Sequence, residues 1–317
     1  MPRRNWRKKY PFLYTRRAYL VRTIFTYIIT YFALLPTLLW LVLASQSNPF
    51  PEQLYDAQRV LIVLAHRGDE SLFFGPTILR LTGRPEQDKL TRLLVLSKGN
   101  ITQASYPVKT ITYVILIADH DGKGETDNTG LTEACAILGI ADRHCDVRDL
   151  PGHQDDSGVV WSQARIEATV KDYAMKWAAD AIISFDNGGV SGDKSHISVS
   201  DAIVNYVSRT ESAPPVYTLT TTSVLGKYSL FGDLPLTALT HVLRRLFFNR
   251  TSAYAANDAS ALFVNSFAMW RRSVAALQQH ESQDSWHRYL YVMLSRYMWF
   301  NDLKLVVPGS AKQGQSP

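Results

Sequence analysis

Arg59-Val60-Leu61-Ile62-Val63-Leu64-Ala65-His66-Arg67-Gly68-Asp69-Glu70 divides into two halves of opposite character. The first is a continuous run of β-branched and leucine side chains, the pattern of a strand buried on both faces of a parallel sheet. The second places a histidine, an aspartate and a glutamate where that strand ends. In open α/β sheets the carboxyl ends of the strands border the crevice in which ligands bind. A histidine and a carboxylate three residues apart at such an end can share one metal ion. Zinc accepts imidazole nitrogen and carboxylate oxygen, and it needs a third protein ligand for catalysis. Taken alone, the segment also reads as a strand that stops in an ordinary polar turn.

A second stretch has the same design. Ile183-Ser184-Phe185-Asp186-Asn187-Gly188-Gly189-Val190-Ser191-Gly192-Asp193-Lys194-Ser195-His196 runs from strand into a glycine-rich turn, and a histidine follows. Glycines there permit turns other residues disfavour and let a ligand approach the backbone. If the two strands are neighbours, His196 completes a His66/Asp69/His196 triad, the three-ligand arrangement of catalytic zinc. Around them the chain alternates strand-like and helix-like segments, as βαβ units and a mostly parallel, Rossmann-like sheet require. Strands are expected at Val60–Ala65, Leu90–Leu96, Cys145–Leu150, Ala181–Phe185 and Val216–Thr221, and helices at Leu72–Leu81, Thr132–Leu138, Gln163–Ala179 and Ile197–Val207. Ile111–Ala118 reads as a further strand of unassigned position. After Gly226 the chain turns helical and aromatic.

The 317 residues are 46% hydrophobic and 20% charged, which suits an α/β core and excludes global disorder. The net charge of +6 does not mark a nucleic-acid face. Eight of the 34 Lys and Arg fall within residues 1–22, leaving 26 against 28 acidic side chains. That basic segment precedes Thr23–Ser45, 23 residues without a charge, long enough for a membrane anchor, with Pro36 as the place for a kink or a re-entrant turn. Residues 46–58 read as a linker and residues 306–317 as a polar tail. Cys135 and Cys145 are too few for a disulfide framework and fit a reducing compartment.

The domain at 59–305 resembles the LmbE/PIG-L de-N-acetylases. The resemblance lies in AHRGDE at 65–70, GETDNTGLTEACAILGI at 124–140, FDNGGVSG at 185–192 and HESQDSWHRYLYVMLSRYMWFNDL at 280–303. It implies an amidase-type hydrolase that removes acetate from N-acetylglucosaminyl-phosphatidylinositol, in glycosylphosphatidylinositol-anchor synthesis. It also implies an LmbE-like fold and a divalent metal, zinc, on His66, Asp69 and His196, with a glycolipid substrate and no nucleic-acid partner. The implied location is the endoplasmic reticulum membrane with the catalytic domain facing the cytoplasm. The basic N-terminus favours the reverse orientation for a single span, and a re-entrant turn at Pro36 reconciles the two.

The chain departs from the family where chemistry is concentrated. Gly68 stands where the family carries its general base, and Asp193 where it carries the first histidine of HxxH. Asp127 and Gly130 replace an arginine and a glutamate, and residues 101–120 look inserted. Glu70 and Asp193 are therefore the candidate replacement catalytic residues. His280 opens a stretch shared with the family; His120, His144, His153, His241 and His287 read as surface or structural. A different reading is a catalytically impaired membrane-bound paralogue that binds glycolipid or a partner protein. A nucleotide-binding module is disfavoured because no phosphate-loop lysine follows the glycines.

Overall fold

The structure is a computed structural model describing residues 11–45, 54, 57–83, 90–95, 113–116, 129–141, 144–148, 161–248, 260–280 and 286–306. Among the described residues, eight strands form one sheet: β1 (Arg59–Leu64), β2 (Leu90–Val95), β3 (Tyr113–Leu116), β4 (Cys145–Arg148), β5 (Ala181–Phe185), β6 (Val216–Leu219), β7 (Ser260–Val264) and β8 (Phe300–Val306). Their order is β2-β4-β3-β1-β5-β6-β8-β7, with β2 also paired to β1 and β3. Pairings among β1–β6 are parallel, whereas β8 runs antiparallel to both β6 and β7. The sheet is therefore mixed. The expected strands and helices form, and the Ile111–Ala118 segment supplies β3. The two antiparallel strands were not expected. In β8, Asn301, Asp302 and Lys304 interrupt the apolar run that marks a strand buried on both faces.

β1 and β5 are direct neighbours, in register from Val60 opposite Ala181 to Ile62 opposite Ile183. Ser184 extends the pairing by donating from Oγ to the Val63 carbonyl at 2.7 Å. Both strands are buried almost throughout, and helices including Gly75–Thr82, Gln163–Lys176 and Lys194–Arg209 turn apolar faces onto the same core. At the β8 end, Asn301 ties three elements together. Its Oδ1 accepts from the Thr77 amide and hydroxyl at 3.1 and 2.7 Å, and its amide donates to the Phe73 carbonyl at 2.8 Å.

The expected membrane anchor at 23–45 needs correction. The segment is helical, but it is divided among a helix at Pro11–Ile29, a π-helical turn at Thr30–Leu34 and a helix at Leu35–Ser45. Pro36 has no amide hydrogen for the helical ladder, and the wide turn directly precedes it. Arg16, Arg17 and Arg22 fall in the first helix, and the apolar second one spans only 11 residues. No described helix is long and apolar enough to cross a membrane. The second helix also contacts the domain: Trp40 donates from Nε1 to the Asn265 carbonyl at 2.8 Å and stacks on Phe231, while Arg80 donates to the Ala44 carbonyl at 2.8 Å.

Cys135 and Cys145 are joined as a disulfide that links the Thr129–Leu138 helix to β4, in place of the free thiols expected. The segments at 1–10 and 46–53 and the tail beyond Val306 lie outside the described residues, as does the 101–120 insertion except for Tyr113–Leu116.

Two measurements test this packing. Asn301→Ala leaves the Thr77 donors and the Phe73 acceptor without their partner and should cost about 2–4 kcal/mol; an unchanged urea midpoint would contradict it. Asp302 pairs with His241 at 2.8 Å. Burial pushes its carboxyl up, but the hydrogen bond and charge of His241, with Lys304 and Arg296, hold it below its ordinary value. Its contribution to stability is therefore present above the unfolded carboxylate pKa of about 3.9 and is lost as the pH falls through the lower folded value. Asp302→Asn should flatten the acid limb of stability against pH.

Candidate active site

Because β1 and β5 end side by side, the turns that follow them meet. Asp69 folds back so that its Oδ2 accepts the His66 backbone amide at 2.7 Å. That same oxygen lies 3.2 Å from His196 Nε2 and 3.6 Å from His66 Nδ1, and the two ring nitrogens are 3.2 Å apart. His196 is oriented from behind: its Nδ1 is 3.1 Å from the Gly189 carbonyl, which can only accept, so Nδ1 carries a proton and Nε2 faces the cluster. Phe185 stacks on the His196 ring at 3.9 Å, and Trp161 meets His66 edge-on at 5.6 Å.

A second carboxylate belongs to the cluster. Ligand atoms of His66, Asp193 and His196 all lie within 4.8 Å of one another. Asp193 is also the N-cap of the Lys194–Arg209 helix, its Oδ1 accepting from the Ser195 and His196 amides at 2.9 and 3.2 Å. Partial burial pushes its carboxyl up, but the nearby His196 and His66 and these hydrogen bonds hold it below its ordinary value. It stands as an anion able to accept a proton.

The turn that carries these groups is braced. Asp186 accepts from the Gly188 amide at 3.0 Å and the Thr221 amide at 2.6 Å, and Thr221 Oγ1 accepts from the Val190 amide at 2.8 Å. Val190 has φ +64°, a conformation a β-branched residue holds only under such constraint.

Glu70 has a different place from Asp193. It is fully buried, with Oε1 2.7 Å from His280 Nε2 and 2.8 Å from the Ser71 hydroxyl, and Oε2 accepting from the Gly68 amide at 2.9 Å. Burial pushes its carboxyl up, while His280 and these donors hold it below its ordinary value. Both oxygens are committed to holding the loop. His280 lies 210 residues away in sequence, and only its position at the head of the 280–303 stretch pointed to it. Gly68 has φ +89°, the left-handed region. At Gly130 a side chain would overlap the Gln279 carbonyl, so a glutamate does not fit this packing. Asp127 lies outside the described residues, as do His120, His153 and the side chain of His287.

Donor chemistry and spacing both fit a metal ion. Zinc bonds of about 2.0–2.2 Å place tetrahedral ligands roughly 3.3–3.5 Å apart, and the His66, Asp69 and His196 atoms stand at 3.2–3.6 Å. Asp193 groups with the two histidines within 4.8 Å, and Asp69 Oδ2 lies within 3.6 Å of both ring nitrogens, so two carboxylates stand within reach of the pair. The molecule is thus an α/β protein with a histidine–carboxylate cluster at adjacent strand ends. Residues 61–207 match the family model PIG-L: GlcNAc-PI de-N-acetylase. It is similar to N-acetylglucosaminyl-phosphatidylinositol de-N-acetylase of Bos taurus, 28% identical over 250 residues covering 78% of this chain and 83% of that one. It is also similar to the probable enzyme of that name from Dictyostelium discoideum, 25% identical over 78% of this chain and 92% of that one. Among solved structures, the A40926 pseudoaglycone deacetylase Dbv21 aligns with a TM-score of 0.44 and 10% identity, over 79% of this chain and 98% of that one.

Aspartate tolerates the left-handed region better than most residues but still less well than glycine. Gly68→Asp should therefore lower stability by about 1 kcal/mol. Chemical denaturation reads this, and an unchanged midpoint would mean the 66–70 loop is less constrained than its hydrogen bonds indicate.

Proposed function

We propose that this chain hydrolyses the acetamide of N-acetylglucosaminyl-phosphatidylinositol, releasing acetate and leaving the free amine. The observation that carries the reading is the convergence of His66, Asp69 and His196 from two adjacent strand ends within a chain that matches this family model. These three residues would hold a divalent metal, for which zinc suits the donor set. Such a metal, when bound, polarises the carbonyl and makes water acidic enough to attack at neutral pH. Asp193 takes the proton of the attacking water and returns it to the departing amine, filling the role left open by Gly68. Its depressed pKa keeps it ionised, the form that accepts a proton, and makes the return of that proton to the amine the easier half of the cycle. Glu70 and His280 fix the loop that carries Asp69 and do not transfer protons.

A glycolipid substrate calls for contact with a membrane. The helices at Pro11–Ile29 and Leu35–Ser45 leave Leu20, Ile24, Phe25, Ile28, Leu38 and Leu41 exposed, an apolar surface that supports membrane association at the endoplasmic reticulum. The missing base at 68 favours a second reading, a protein that binds the glycolipid without turning it over.

Labelled N-acetylglucosaminyl-phosphatidylinositol supplied to the full chain in detergent tests both. Chelation should abolish release of acetate and zinc should restore it. Asp193→Asn should reduce kcat by about 10²–10⁴-fold while metal content stays near one ion per chain. A variant at 193 that keeps the wild-type rate would remove Asp193 from the mechanism. Wild-type binding without turnover would establish the second reading.

A further inference from the structure

Lys227 is a buried cation that the chemistry above does not use. It closes the short helix Val224–Lys227 and is 9% exposed. Among the described residues no carboxylate pairs with it. Its Nζ donates to the Ser191 hydroxyl and lies 5.9, 5.5 and 5.3 Å from the ring centres of Phe73, Tyr228 and Tyr291. Burial pushes its pKa down. Ring faces and one hydroxyl attract an ammonium, but they do not neutralise it. An unpaired buried charge is costly in a fold and calls for an anion from elsewhere.

The surroundings say where that anion would be. Ser191 belongs to the turn that delivers Asp193 and His196. Phe73, one wall of the cage, also meets the His196 ring edge-on at 5.6 Å. The ammonium therefore lies near the site, with Phe73 within 6 Å of both it and the His196 ring. In the proposed substrate the only fixed negative charge is the phosphodiester, joined to the sugar through the inositol ring and so set back from the acetamide.

We infer that Lys227 and Ser191 form the subsite that receives the phosphodiester of the glycolipid. The inference rests on the de-N-acetylase reading above. A compact ammonium with rotatable donors suits a phosphodiester oxygen. Lys227 is thus a positioning residue, which sets how the sugar presents its acetamide, and it takes no part in proton transfer.

The test compares the wild-type full chain with Lys227→Met on two substrates, a short-chain N-acetylglucosaminyl-phosphatidylinositol and N-acetylglucosaminyl-inositol, which lacks the phosphate. Loss of a charged hydrogen bond predicts a fall in kcat/KM of about 10–100-fold on the first, carried by KM. The second should be unaffected, and Lys227→Arg should recover part of the loss. An equal fall on both substrates would overturn the subsite. If Lys227→Met does not fold, Lys227→Gln takes its place. If the wild type turns over neither substrate, the hydrolase reading fails and binding decides: glycerophosphoinositol affinity by calorimetry should weaken by the same factor in the variant. Equal affinities would overturn the inference.

Discussion

Two parallel strands that lie side by side and stop at the same level create the site. The Val60–Ala181 to Ile62–Ile183 ladder, closed by Ser184 on the Val63 carbonyl, brings together side chains 130 positions apart in sequence. Closing so long a loop costs chain entropy that the histidine cluster alone could not offset. The sheet bears that cost through burial of β1 and β5 on both faces. Cluster geometry is thus set by backbone pairing, and the side chains need only short turns to meet.

Charge is handled by position within this frame. Where no solvent reaches, as at Glu70, the carboxylate has a histidine and two further donors. At the two strand ends, Asp69 and Asp193 turn negative charge toward the histidine pair. Lys227, near Phe73, carries the opposite sign. Buried polar groups in one part of the fold are satisfied internally, and those in the other part await something from outside.

Much of this was legible in the sequence because local pattern reports local burial. The runs at Val60–Ala65 and Ala181–Phe185 announced strands, and the residues just beyond them are the ones that meet in the histidine–carboxylate cluster. Partnerships across sequence left less trace. Nothing near Glu70 signals that His280 neutralises it, and nothing in a lone lysine after Gly226 signals a cage of rings from three segments. The apolar stretch at 23–45 is helical as its pattern indicates, but the packing of Trp40 against Phe231 and Trp299 is a partnership that hydropathy does not foretell. A single pair of cysteines likewise does not say whether a helix and a strand bring them into bonding distance.

Asp193 serves two structures at once, and this restricts how the chain can change. One oxygen closes the start of the helix that carries His196, while the carboxylate as a whole faces the histidine pair. A histidine here, the residue the family carries, is a poor N-cap, so restoring it would loosen the helix start that holds His196 in place. Restoring an acidic residue at 68 would meet a left-handed backbone. The two positions are therefore epistatic. The cost of changing one position depends on whether the other has already changed.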